Sequence, residues 1–127
     1  MAHPSDRSYS KDHEWVLVDG DTATIGISDF AQDQLGEVVY VDLPAEGDTL
    51  TAGDAFGEIE SVKSVSELIA PVSGEIVEVN ASLADSPETV NADAHGAGWM
   101  VKVRTTDESE LSALLSGEDY DAFLTEG

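Results

Sequence analysis

The sequence predicts a mainly β protein, a compact β core or sandwich carrying a few small helices. Glycine and proline cut the chain into short segments. Several of those segments alternate apolar and polar residues, as Thr22-Ala23-Thr24-Ile25-Gly26-Ile27 does. Helical spacing is confined to brief stretches, one near residue 30 and others after Ser109. At 127 residues and 41% hydrophobic, the chain has the size of one small domain and enough apolar surface for a core. No linker divides it, so residues 1–8 are expected as an N-terminal tail and 9–127 as a single domain.

In chain order, Trp15-Val16-Leu17-Val18 reads as a strand turned by Asp19-Gly20-Asp21, and Thr22–Ile27 as the next. Ser28 reads as an N-cap, with Phe30, Ala31 and Leu35 on one helical side and Gly36 as the stop. Glu37 to Leu43 is a strand ended by Pro44, with turns at 45–48 and 52–54. Phe56 to Val62 and Val65 to Ile69 are two extended runs meeting at Lys63-Ser64. Pro71-Val72-Ser73-Gly74 turns the chain into the strand Glu75–Val79, and Asn80 is expected to cap a short helical turn through Leu83. A loop then leads to the strand Trp99–Val103. From Ser109 a helix is predicted, with Leu111, Leu114 and Leu115 on one face, and Tyr120, Phe123 and Leu124 repeat the spacing after Gly117. Gly57-Glu58-Ile59 returns as Gly74-Glu75-Ile76, which reads as two similar halves about a pseudo-twofold axis.

The charge narrows the function classes. Five Lys and Arg against 27 Asp and Glu give a formal charge of −22. Nucleic acid and anionic membranes, which attract clustered cations, are therefore not expected as partners. The acids are spread along the chain rather than gathered in a tail, as for a hydrated surface in a salt-rich cytoplasm, and a halophilic origin is the expectation. Without cysteine there is no disulfide framework, thiolate metal site or Cys nucleophile. No apolar run approaches the roughly 20 residues of a membrane span. The residues before Tyr9 hold no apolar stretch of a secretory signal, so the expected location is cytoplasmic.

Lysine is scarce: Lys11, Lys63 and Lys102 are all there are. Lys102 and Lys11 read as surface residues of a strand and a polar loop. Lys63 stands at the centre of Glu60-Ser61-Val62-Lys63-Ser64-Val65-Ser66-Glu67, a near-mirror arrangement with small hydroxyls about its tip. A hairpin turning there presents the amine outward, where another enzyme can acylate it and leave a neutral amide. Spacing alone leaves this reading and a plain solvated turn lysine both open. His13-Glu14 is half of a zinc helix motif, but no second His follows at i+4; His3, His13 and His95 are scattered, and no metal site is expected. Phosphate loops and nucleophile elbows are absent as well, so catalysis by the chain itself is not expected. Trp15 and Trp99 read as core or cleft walls.

The ordered blocks Tyr9-Ser10-Lys11-Asp12-His13-Glu14-Trp15, Ala23–Ser28, Leu35–Val41, Phe56-Gly57, Glu60–Lys63, Pro71–Glu75, Asn91 and Gly98-Trp99 resemble the H protein family of the glycine cleavage system. The resemblance runs from about Tyr9 to Leu124. It implies a hybrid barrel-sandwich fold of the lipoyl-domain kind and a non-catalytic carrier with lipoate joined by an amide to Lys63, in a hairpin formed with Glu60, Ser61, Val62, Ser64 and Glu67. It also implies four partners: a lipoylating enzyme, a pyridoxal-phosphate glycine decarboxylase (P protein), an aminomethyltransferase (T protein) and a dihydrolipoyl dehydrogenase (L protein). The amine carried on such an arm is cationic and must be kept from water, and Glu14 and Glu67 are the acids expected to hold it. His95 departs from the family pattern, where an aromatic hydroxyl residue is expected, and the acidity is unusual. Partners are expected to dock in high salt by short-range packing. Two other readings stay open: a lipoyl or biotinyl domain of a different transfer complex, and a lipoyl donor or unmodified scaffold of the same fold. Val62 and Ser64 beside the lysine, instead of the paired Met usual at biotin sites, speak against biotin.

Overall fold

A computed structural model describes residues 6–106 and 109–126. Among them the strands are β1 (Ser8–Tyr9), β2 (Glu14–Asp19), β3 (Thr22–Ile27), β4 (Val38–Asp42), β5 (Thr49–Leu50), β6 (Ala55–Ser61), β7 (Val65–Ile69), β8 (Gly74–Val79), β9 (Val101–Thr105) and β10 (Leu115–Ser116). The helices are α1 (Asp29–Leu35), α2 (Ser82–Asp85), α3 (Thr89–Ala92), α4 (Ser109–Ser112) and α5 (Gly117–Glu126). Seven strands form one antiparallel sheet in the order β10-β1-β2-β3-β9-β8-β5, and three form a second, β4-β6-β7. The mainly β expectation holds, with small helices at the periphery and a helix at the C-terminus.

Alternation dictates the core. Ala23, Ile25, Ile76, Val101 and Val103 point inward from β3, β8 and β9 and are at most 1% exposed. The inward row of the small sheet, Val38, Val41, Ile59 and Leu68, closes a second cluster with Leu83 from α2, Val90 from α3 and Met100. Each fully buried aliphatic chain contributes about 1.5–3 kcal/mol by leaving water. A third cluster of Tyr9, Trp15 and Tyr120 attaches α5 to the large sheet, with the Tyr9 and Tyr120 rings stacked 4.8 Å apart.

The repeated tripeptide has a steric reason. Gly57 and Gly74 sit at the same kind of place in the two sheets. A methyl group at Gly57 would run into the carbonyl oxygen of Asp42 on the neighbouring strand, and one at Gly74 into that of Arg104. Only glycine lets either pair of backbones approach so closely.

α1 follows the sequence reading closely. The Ser28 hydroxyl accepts the Ala31 N–H at 3.1 Å, and Gly36 ends the helix at φ +82°, where only glycine is unstrained. Several expectations are corrected. The predicted helix from Ser109 is a single turn, because Leu115 leaves it to pair with Tyr9 as β10. Leu111 and Leu114 pack on the first cluster while Leu115 packs on the third, so the three leucines serve two cores rather than one face. Asn80 does not cap α2 with its side chain; its amide donates to the Ala97 and Trp99 carbonyls instead. The expected loop before Trp99 contains α3, whose Val90 is fully buried. The strand placed at Trp99–Val103 begins at Val101, although the Met100 N–H still reaches the Ile25 carbonyl. Of the expected tail, residues 1–5 lie outside the described residues, whereas Ser8 is part of β1 and the Arg7 guanidinium stacks over the Trp15 ring.

Candidate functional site

Lys63 lies between β6 and β7, at the tip of a hairpin. The tip is locked by a side chain rather than by glycine. The Ser61 N–H donates to the Ser64 carbonyl at 2.8 Å, and the Ser61 hydroxyl oxygen accepts the Ser64 N–H at 3.1 Å and the Lys63 N–H at 3.3 Å. Neither Val62 nor Lys63 needs positive φ. The Val62 N–H donates at 3.0 Å to the Glu37 carbonyl, which ties the tip to the turn between α1 and β4. Lys63 is exposed, and Val62 and Val65 beside it are 67% and 59% exposed. A side-chain carbon at Gly36 would stand 3.4 Å from Lys63 Cε, so the lysine stem runs past this glycine.

Beside the tip opens a cleft of about 430 Å³. One wall is α1, with Phe30, Ala31, Gln34 and Leu35; another is β7, with Ser66 and Leu68; Ser64 reaches it from the hairpin. His13 and Glu14 form its far side. His13 adopts φ +70°, a left-handed conformation uncommon for a side-chain-bearing residue. Its Nδ1 lies 2.8 Å from the Tyr120 hydroxyl, which in turn meets the Ser28 hydroxyl at 2.7 Å. Burial raises the Tyr120 phenol to about 12 against the opposing Ser28 hydrogen bond, so it stays protonated. Sequence reasoning did not assign Tyr120 to this network, because its apolar spacing marked it as core, which its ring is.

The two acids picked from the sequence both border this cleft, and differently. Glu14 is 2% exposed. Its carboxyl accepts the Ser10 hydroxyl at 2.8 Å and the Ile69 N–H at 3.2 Å. Burial drives the carboxyl up to about 8, with the Ser10 and Ile69 hydrogen bonds pulling it down and the Asp12 charge adding to the rise. Near neutral pH its protonated form therefore predominates. Glu67 is exposed at the rim, and its register opposite Glu58, itself opposite Asp42, sets three carboxylates in a row on the outer face of the small sheet. Glu60 pairs with Tyr40 and Val65 in the next outward row.

His95, the departure from the family pattern, stands at the start of α1: its Nε2 lies 3.3 Å from the Asp29 N–H. Its carbonyl accepts the Arg7 guanidinium at 2.7 Å. Trp15 is a core residue whose indole N–H donates to the Ala94 carbonyl. Lys102 lies 3.8 Å from Glu78 and over the Trp99 ring, on the far sheet from Lys63. His3 lies outside the described residues, and among the described residues no three metal-ligating side chains converge.

Comparison with known proteins covers nearly the whole chain. The family described as Glycine cleavage H-protein matches residues 7–127. A protein named glycine cleavage system H protein from Carboxydothermus hydrogenoformans is 54% identical over 123 residues, 97% of this chain and 95% of that one. The crystal structure of a glycine cleavage system H protein from Mycobacterium marinum superposes with a TM-score of 0.89 at 43% identity, covering 96% of this chain and 98% of the other.

Proposed function

The chain belongs to the glycine cleavage H-protein family, whose members are lipoyl carriers and not catalysts, and we propose that it carries its lipoyl group in amide linkage on Lys63. The observation that supports this most directly is the exposed amine on a serine-locked tip, opening beside a cleft large enough for a folded-back arm. The residues present fit such a group: Ser64 joins tip to cleft, and the aliphatic chains of Leu35, Ile59 and Leu68 suit an alkyl arm. When bound, the group supplies the paired sulfurs that a chain without cysteine lacks, able to accept a one-carbon unit and cycle between dithiol and disulfide.

The chain's own part is to present, shelter and release. Lys63 offers its amine to a lipoylating enzyme from a backbone held by the Ser61 and Glu37 hydrogen bonds. The cleft walls shelter one side of whatever lies against them from water. Glu14 supplies a carboxyl at the cleft's far side, and a cationic amine seated there favours its ionised form, so the pair forms at the cost of one released proton. Glu67 offers a second carboxylate at the rim, weaker because water screens it. The function that follows is transfer of the aminomethyl group from the glycine decarboxylase to the aminomethyltransferase, with reoxidation by dihydrolipoyl dehydrogenase.

Intact mass and a peptide map of the protein from its native cells test the assignment. The expected result is a lipoyl adduct confined to Lys63 and lost in Lys63→Arg. A biotinyl adduct would move the protein to carboxyl transfer. An unmodified Lys63 in cells whose other lipoyl proteins are modified would leave a scaffold.

A further inference from the structure

Asn91 belongs to α3, a single turn far from Lys63 in sequence, yet its side-chain amide reaches the ground on which the hairpin stands. Its Nδ2 donates to the Gly36 carbonyl at 2.8 Å and to Gln32 Oε1 at 3.0 Å, and its Oδ1 accepts the Val38 N–H at 2.8 Å. The partners decide which way the amide faces, since a carbonyl needs the N–H side and a backbone N–H needs the oxygen. The residue held between these bonds is Glu37, whose carbonyl accepts the Val62 N–H. Gly36, gripped by the same amide, is where the Lys63 stem passes. The connection from Asn91 to the lysine therefore runs through one turn and one hydrogen bond.

We infer that Asn91 is a positioning residue for Lys63: it fixes residues 36–38, and through them the hairpin tip and the lysine stem. This rests on Lys63 being the modified residue. The geometry explains why an amide is needed. Asp could accept from Val38 but would set a carboxylate oxygen against the Gly36 carbonyl; Ala could do neither. Asn80 is the natural control, a buried amide that holds the Ala97 and Trp99 carbonyls of the same α3–β9 segment without touching residues 36–38.

The test compares Asn91→Ala, Asn91→Asp and Asn80→Ala in the full chain before modification. One readout is amide hydrogen exchange at Val62; the other is kcat/KM for acylation of Lys63 by a lipoylating enzyme. Both are expected to change about tenfold in Asn91→Ala, exchange rising and kcat/KM falling, because small displacements of a reacting group are costly. Asn91→Asp keeps the Val38 acceptor but opposes the Gly36 carbonyl; it is expected to move both readouts in the same direction, and it carries the test if the alanine variant does not fold. Asn80→Ala is expected to stay within about twofold on both readouts, although it too loses buried hydrogen bonds. Equal effects of Asn80→Ala and Asn91→Ala, or none in either Asn91 variant, would overturn the inference. A wild-type chain never acylated at Lys63 would instead overturn the assignment of the lysine, while the Val62 exchange contrast still judges the mechanical link.

Discussion

Glu14 and Glu67 carry the same functional group and were chosen from the sequence on equal terms, but their surroundings separate them. Glu14 is enclosed and Glu67 wet. The folded chain holds the Glu14 proton more tightly than the unfolded chain, whose carboxyl titrates near 4.5. The stability linked to that proton is fully present below about pH 4.5 and is lost as pH rises through about 8. Glu14→Gln keeps a neutral group in place, so denaturation measured from about pH 4 to 9 should show wild type losing ground to the variant by an amount on the order of a few kcal/mol. Parallel curves would mean that folding leaves the Glu14 carboxyl at its unfolded value. The motif His13-Glu14-Trp15 showed that this acid was worth attention. Its depth was not legible, because the walls that enclose it come from β7 and α1, distant in the chain.

At the scale of elements, local chemistry was readable wherever the local partner decides the outcome. Ser28 caps α1 and Gly36 stops it through bonds within a few residues. The Lys63 hairpin was legible for the same reason, and its serines explain how it turns without glycine. Ser61→Ala removes the acceptor for two tip N–H groups and is expected to cost about 1 kcal/mol, read as a lowered denaturation midpoint with faster amide exchange confined to residues 62–64. The repeated glycines make a sharper case. Gly57→Ala and Gly74→Ala each force apart two backbones and should cost about 1–3 kcal/mol or more. Gly47→Ala, where nothing lies near but φ is +91°, should cost only the conformational strain of about 1 kcal/mol. If all three cost the same, close strand approach is not what the repeat encodes. The stretch after Ser109 was misread because apolar spacing reports which residues are buried, not whether one core or two receive them.

For the whole molecule, the charge of −22 sets the conditions under which these contacts hold. The row of Asp42, Glu58 and Glu67 places like charges side by side, while the Lys102–Glu78 and Arg104–Glu75 pairs are long and exposed, at 3.8 and 3.6 Å. We propose that this surface is adapted to high salt. The urea midpoint should rise steeply as potassium chloride goes from about 0.1 to 2 M, where the screening length falls from about 10 Å to less than the spacing of neighbouring carboxylates. Glu58→Gln, neutralising the middle of the row, should make that dependence shallower. A midpoint indifferent to salt would remove the halophilic reading. By itself the sequence determined the β class, the cap and stop of α1, the hairpin at Lys63 and the family, because these depend on side chains acting on their near neighbours or on residue identities in order. Only the tertiary structure decided that Glu14 is sealed while Glu67 is not, that Tyr120 reaches His13, and that Asn91 stands beneath the lysine. Each of those depends on which distant segments share a wall, and burial and hydrogen bonding across such walls are set when the two sheets close.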